Sequence, residues 1–505
     1  MRVFFLTVVL SSLLFPSNAE ARRKKAGEID TSSVESAVPQ DEVLSQAKGF
    51  LSKNKPERAL EVLTSFLNDE NNKSYFPQAY ELQLKTLRKL KLPYARFQFF
   101  PTALKQSLSS EESKELLEDF IDLSEELGEE GLLPDVLRED QIAMLKKSDQ
   151  ELILYQKAKN ALRKSEFAQS LELAKSVPKE SEYYTKALNI EAVTLSQQGR
   201  FDEALLPFNR ALKRMESSKR EEKLRNIIQL NLARNFYAAG IFSAAIEGFD
   251  AIPRTSPYWL EAQFEKAWAL FRQQEINPML GILQTHTTEF FVDGVYPEEE
   301  MLRIYGFFLL CKFETTSAAV DVFEKRYNEH LVTLREWNAR SESDLFYGFA
   351  KRRSGDFPRM LSRHFEFEDQ MNEAVYTVQA IDKEIAKLEE LGSFTQPIVD
   401  NLKSRKENIV QQQGKRIKSK GISKAQKIVG MLQNMNITRL DIGELKQRIL
   451  NKEAVTGKRL SAKREAKRKI RSRRDSNVWA YQGEQWADEL GYYQIKVSSS
   501  CPADF

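Results

Sequence analysis

The chain has 505 residues, 41% apolar and 30% charged, with a formal net charge of +3 at pH 7. Its 31 Phe, 16 Tyr and 5 Trp can bury enough area to exclude a fully disordered chain. Two Cys and three His exclude a disulfide-rich scaffold and a four-cysteine zinc site. At roughly 150 residues per domain the length suits about three structural units.

Arg2 precedes an apolar run from Val3 to Phe15, which is too short for a comfortable transmembrane helix. Small residues at Ser17 and Ala19, or at Ala19 and Ala21, suit a cleavage site. Residues 1–21 therefore read as a secretory signal peptide, with an uncleaved anchor as the alternative. No Cys follows the run, which excludes a lipoprotein, and a periplasmic location is expected. Residues 22–40 are basic and then small and polar, a linker composition.

From residue 41 apolar side chains recur at spacings of three and four, the helical period. Internal comparison shows repeats. Gly199, Ala204 and Phe208 recur 41 residues later as Gly240, Ala245 and Phe249. Ser165, Ser170 and Ala174 hold the same places 34 residues earlier. Each type has a physical task. Glycine ends the first helix of a pair in left-handed backbone, Ala lets two helices approach, Phe fills the gap to the next pair, and Pro stops the second helix.

This pattern resembles the tetratricopeptide repeat, a helix-turn-helix unit of about 34 residues. The resemblance is best at Ala192-Leu195-Gly199-Ala204-Phe208-Ala211 and at Ala233-Phe236-Gly240-Ala245-Phe249-Pro257. It is weaker at Ala47-Phe50-Ala59-Leu63, where Asn54 holds the turn. Fainter echoes lie at Ala95-Phe99, Met279-Leu283, Ala319-Phe323 and Gly355-Met360. The array spans 41–366, and an irregular helical array is the alternative. The resemblance implies stacked helix pairs whose faces bind protein partners.

Residues 367–474 change character. Met371, Ala374, Val378, Ile381, Ile385 and Leu388 form a coiled-coil-like seam. Gly392 ends it, and Ile398, Leu402, Arg405 and Ile409 continue it, so a helical hairpin is expected, with irregular helical packing as the alternative. Gly414 and Gly421 read as a second break, and Asp441 to Glu444 as a capping box opening a last long helix. Between Leu402 and Arg474 there are 23 Lys or Arg against 5 Asp or Glu. That balance of +18, set against +3 overall, leaves −15 on the remainder. The densest patch is Lys458, Arg459, Lys463, Arg464, Lys467, Arg468, Lys469, Arg471, Arg473 and Arg474. A cationic helix of this kind can hold an anionic envelope polymer or lipid head groups, or lie on the acidic remainder of its own chain. No aromatic residue interleaves the patch, and an exported chain is not expected to meet nucleic acid.

Residues 475–505 are aromatic-dense, from Trp479 to Tyr493. Tyr493 to Val497 alternate as in a short strand. The segment reads as a cap on the basic helix or last repeat, or as an exposed recognition tail. Its Trp479, Gly483-Glu484, Trp486 and Asp488-Glu489-Leu490-Gly491-Tyr492 pattern is similar to periplasmic repeat proteins of gliding or predatory delta-class bacteria. That similarity implies a part in an envelope-spanning, motility-type machine. Cys311 lies in an apolar run that reads as buried helix, and the export route allows a Cys311–Cys501 bridge.

No phosphate loop, zincin motif or nucleophile elbow occurs. The three His are isolated in sequence, and adjacent acid pairs cannot face one another across a site. Some lytic transglycosylases place a helical superhelix before a catalytic domain, but the matching C-terminal stretch here is basic helix without that family's catalytic Glu-Ser setting. The expectation is an all-α chain: a tetratricopeptide-like α-solenoid, long coiled-coil-like helices and a small aromatic C-terminal cap. It would act as a non-enzymatic scaffold without cofactor or metal, binding proteins through its repeats. Binding of anionic envelope polymer or lipid through the basic helix is the alternative.

Overall fold

The computed structural model describes residues 40–106, 110–215, 222–291, 295–353, 355–366, 368–456 and 485–502. The expected signal peptide, the linker, the basic patch from Lys458 to Arg474 and the aromatic residues up to Glu484 lie outside the described residues. Within them the chain is helical and no strand forms.

The chain divides into two compact units, one of residues 1–194 with 380–404 and one of residues 195–379 with 405–505. The first unit contains α1 (Gln40–Ser52), α2 (Pro56–Leu67), α3 (Phe76–Lys89), α4 (Pro93–Gln106), α5 (Ser110–Leu127), α6 (Leu133–Val136), α7 (Glu139–Ala143), α8 (Lys147–Arg163) and α9 (Phe167–Ser176). Helix α10 (Tyr184–Gln197) leads into the second unit, with α11 (Phe201–Arg214), α12 (Glu222–Ala238), α13 (Phe242–Asp250), α14 (Trp259–Arg272), α15 (Ile276–Gln284), α16 (Pro297–Leu309), α17 (Phe313–Asn338), α18 (Glu342–Ala350) and α19 (Arg359–Glu366). The long helices α20 (Asp369–Leu391) and α21 (Gln396–Thr456) each contribute to both units.

Successive helices pack on one another, α1 to α5 and α8 on α9 in the first unit, α11 to α17 in the second. The joint inside each pair is the same. Asn54, Lys91, Gly128 and Ser165 in one unit, and Gly199, Gly240, Gln274 and Cys311 in the other, all have φ between 53° and 80°. After each, the next backbone N–H donates to the carbonyl five residues back, at 2.7 to 3.1 Å, for example Lys55 to Phe50 and Lys312 to Phe307. This is the helix-ending bond that a left-handed residue permits. The turns are 37, 37, 37, 34, 41, 34 and 37 residues apart.

Two buried positions follow each turn. Five residues on stand Ala59, Arg96, Leu133, Ser170, Ala204, Ala245, Met279 and Thr316; nine on stand Leu63, Phe100, Leu137, Ala174, Phe208, Phe249, Leu283 and Val320. All are buried. Two faint echoes in the sequence are thus out of register. The repeat positions are Arg96 and Phe100, not Ala95 and Phe99, and Thr316 and Val320, not Ala319 and Phe323. Arg96 can sit at a small-residue position because Asp119 pairs with its guanidinium, which also lies 5.3 Å from the Phe100 ring centroid. Gly355 lies in the connection between α18 and α19, and Met360, five residues on, is buried.

In the first unit, residues 380–404 form a helical hairpin. Leu388 and Leu402 of the seam are fully buried. The Glu384 carboxylate accepts the N–H groups of Tyr94 and Ala95, both at 2.9 Å. It thereby supplies the α4 N-terminus with the acceptor and negative charge that a helix start lacks.

In the second unit, α21 corrects the expected breaks. It runs unbroken through Gly414, Gly421 and Asp441 to Glu444. The two glycines are places of close approach. A Cβ at 414 would lie 2.0 Å from the Glu342 carbonyl oxygen, and one at 421 would lie 2.2 Å from Asn338 Oδ1. Around them the basic side chains of α21 meet acids of its own unit. Lys418 pairs with Glu342 at 3.2 Å, Lys427 with Glu298 at 3.3 Å, Arg439 with Glu324 at 2.9 Å and Lys446 with Glu314 at 2.6 Å. Pairs this exposed each contribute less than about 1 kcal/mol, so close packing holds the helix more than charge does.

Two glycines of α21 should respond oppositely to the same change. Gly414→Ala should destabilise by about 1–3 kcal/mol through overpacking. Gly443, with open space around it, should on change to Ala stabilise by roughly 0.5–1 kcal/mol. Thermal unfolding of both variants checks the pair of signs.

Candidate functional site

The residues that carry the repeat resemblance form the framework. Ala204, Phe208, Ala245 and Phe249 are fully buried, Gly199 and Gly240 make turns, and Pro257 is exposed in the connection between α13 and α14. None offers a binding group, so candidate sites lie on the faces these residues hold in place. The second unit carries two.

The first is the seat of the C-terminal segment. Residues 491–498 run extended against α15, opposite to it in direction. Tyr493, Ile495 and Val497 turn toward the helices, while Tyr492, Gln494, Lys496 and Ser498 are exposed. The alternation read from sequence is that of a strand, but the partner is a helix. Asn277 replaces the missing neighbour strand: its amide donates to the Val497 carbonyl at 3.2 Å and accepts the Val497 N–H at 2.9 Å. Asn277 and Gly281 of α15 stand in line with Thr285, which caps its end. Thr285 Oγ1 accepts the Gly491 N–H at 2.8 Å, and a Cβ on Gly281 would lie 2.1 Å from the Tyr493 carbonyl oxygen. Leu490 is buried with Phe249, Ile252 and Trp259. The Arg254 guanidinium donates to the carbonyls of Ala487 and Asp488 and stands 5.5 and 5.8 Å from the rings of Trp259 and Tyr492. At the far end Cys311 and Cys501 are joined by a disulfide. Cys311 is not inside an apolar helix as expected. Helix α16 stops at Leu309, and Cys311 is the half-buried left-handed residue of the last turn.

The second is a cavity of about 440 Å³ lined by residues from the end of α15 and from α16 and α17. His286 is buried, and neither of its ring nitrogens has a well-aligned hydrogen-bond partner. Its ring packs edge-on against Tyr296 at 5.3 Å. The buried hydroxyls of Tyr296 and Tyr327 likewise lack a well-aligned partner, with the Arg363 guanidinium beside the first and the Glu300 carboxylate beside the second. Arg303 and Glu299 line the same space, and Glu300 pairs with Arg326 at 2.5 Å. The Arg363 guanidinium covers the Tyr296 ring at 4.4 Å. Burial, with Arg363 nearby, lowers His286 to about 4. Burial raises Glu299 to about 8 and Tyr296 to about 12, and pushes the Tyr327 hydroxyl higher still. Among the described residues no group of His, Cys, Asp and Glu is placed to hold a metal ion. His286 and His330, isolated in sequence, both line this cavity; only the packing of α15 to α17 brings them there, and no local motif announces it.

No protein family and no curated protein matches the chain. Among solved structures, that of a Rap protein complexed with competence and sporulation factor matches 75% of this chain and 100% of its own length, at 13% identity and a TM-score of 0.26. A score this low carries neither fold nor function across.

Two expectations follow from the geometry. Reduction of Cys311–Cys501, or Cys501→Ser, should remove about 3–5 kcal/mol of chain-entropy stabilisation from the 190-residue separation. It should also raise amide exchange at residues 497–501 before that at Gly491; equal, unchanged exchange along the segment would contradict this anchoring. The half-buried acid Glu299 gives the second. A carboxyl that stays protonated to a higher pH in the folded chain than in the unfolded one loses stability as pH rises from 4.5 toward 8, whereas neutral buried His286 loses it as pH falls from 6.5 toward 4. Glu299→Gln should therefore stabilise at pH 8, on the order of 1 kcal/mol, with the gain fading by pH 4.5. Melting curves across that range read it directly.

Proposed function

We propose that this chain is an exported helical-repeat scaffold that binds protein partners in a bacterial envelope assembly, of the motility type that its C-terminal pattern suggests. One observation carries the reading: a repeat face that already seats an extended segment of polypeptide. On α15, Asn277 satisfies both backbone groups of Val497, and Gly281 leaves room for a main chain. Such groups recognise backbone rather than one side chain, which suits a surface for extended peptide. Stacked helix pairs offer similar faces along each unit. Localisation rests on the signal-like residues 1–21; no helix of the described residues is long and apolar enough to cross a membrane. The absence of catalytic motifs in the sequence supports a binding role rather than an enzymatic one.

The alternative, binding to anionic polymer or lipid, rests on Lys458 to Arg474. The described basic residues of α21 favour a different use of charge, since Lys418, Lys427, Arg439 and Lys446 are engaged with acids of their own unit.

Cross-linking in the native cell, followed by affinity capture, separates the two. The mature chain lacking 458–474 should retain its protein partners, and a chain with altered repeat faces should lose them. Loss of every partner with 458–474, and of none with the repeats, would sink the scaffold reading. The same deletion should leave sedimentation with peptidoglycan and anionic vesicles unchanged.

A further inference from the structure

Helix α21 carries two faces over its second half. One packs inward: Ile428, Met431, Met435 and Ile442 are buried in its own unit. The other points out. Positions 422, 426, 429, 433, 436, 440, 443, 447, 450 and 454 are spaced alternately by four and three, and every one is exposed. None carries a charge, although charged residues fill nine of the 33 places from Ile422 to Ala454. Leu440 and Leu450 are 74% and 63% exposed, and Ile437 beside them 55%. Large aliphatic side chains held this far into water along one stripe mark an association surface.

Alternate spacing of three and four is the repeat of a coiled-coil seam, so the occupant that matches it is a helix with the same repeat. We propose that this face pairs with the same face of a second copy of the chain, as a parallel, in-register, two-stranded coiled coil. Charge selects the copy and the direction. In that pairing each residue flanking one side of the seam meets the residue five places further on in the other copy. Leu432 then meets Ile437, and Arg439 meets Glu444, each twice by the two-fold symmetry. Antiparallel pairing over the same length would set Arg439 against Arg439 and Leu432 against Lys446. Asn436 meets its counterpart near the middle of the seam, and a polar pair there fixes the register. At 3.6 residues per turn the inward face lies on the opposite side of α21, so the second unit does not block the approach. A Cβ on Gly443, within the seam, would meet nothing within 4 Å. Four of the ten seam positions are amides (Gln426, Gln433, Asn436 and Gln447), which makes the pair reversible rather than obligate.

Sedimentation equilibrium of the mature chain should show monomer–dimer exchange with Kd on the order of 10 µM. Leu440→Glu changes a side chain that already faces water in the monomer. It should weaken pairing at least tenfold without lowering the melting temperature of the dilute chain, and Val429→Glu should do the same. Glu444→Lys, which turns two attractions into repulsions, should weaken it severalfold, and more at low salt than at high. Under mild oxidation Ile422→Cys should cross-link to itself, because antiparallel helices would hold the two copies of residue 422 about 50 Å apart. The proposal is overturned if the chain stays monomeric to about 200 µM, including where Leu440→Glu instead releases it from lipid vesicles or from a helix of another protein. It is overturned equally if a dimer survives both Leu440→Glu and Val429→Glu, or if Ile422→Cys dimerises without cross-linking. Self-association needs no other protein, so this pairing and the scaffold reading can fail separately.

Discussion

One residue in left-handed backbone, placed between the two helices of each pair, is the constraint from which both units are built. It closes the first helix with a hydrogen bond across five residues and sends the chain back along it. The two positions that must then be buried are fixed by counting five and nine residues onward. Because the count starts at the turn, the register of each pair is independent of the next, and spacings of 34, 37 and 41 residues coexist. Extra length is absorbed in the helices and the connections between pairs, where it costs little.

That independence explains what could be read and what could not. Gly199, Gly240 and Asn54 are residue types at home in left-handed backbone, and they show in the sequence. Lys91, Gln274 and Cys311 adopt the same conformation at a cost of about 1–2 kcal/mol each and look like ordinary helix residues. Arg96 and Thr316 disguise the small position, so their echoes slip in register. The burial of Met371, Val378, Ile381, Leu388 and Leu402 was legible because a spacing of three and four is a local pattern. Gly414 and Gly421 were misread for the opposite reason. A glycine needed for close approach to Glu342 and Asn338 has the same sequence signature as one that ends a helix.

The cavity and the tail seat stand at the far limit of legibility. Each draws on residues separated by tens to hundreds of positions, and none of those residues is unusual in its local context. Nothing in the local sequence sets Asn277 or Thr285 apart, and His286 is isolated there. The sequence could indicate that Tyr493 to Val497 alternate, but not that a helix would receive them. It left the pairing of the two cysteines open, and the fold brings them into bonding distance. The charge asymmetry was visible as a sum. The ion pairs of Lys418, Lys427, Arg439 and Lys446 needed the partners' positions.

The assignment of residues 380–404 to the first unit has a temporal side. The chain enters that unit, leaves it for 185 residues (195–379), returns for 25 (380–404) and leaves again. Until residue 384 is available, the N–H groups of Tyr94 and Ala95 lack their acceptor. The second unit in turn waits for residues close to the C-terminus to cover α15. Neither unit is therefore completed in order of synthesis. A chain threaded through a narrow passage in an extended state would arrive with both units unfinished, and would have to finish them together.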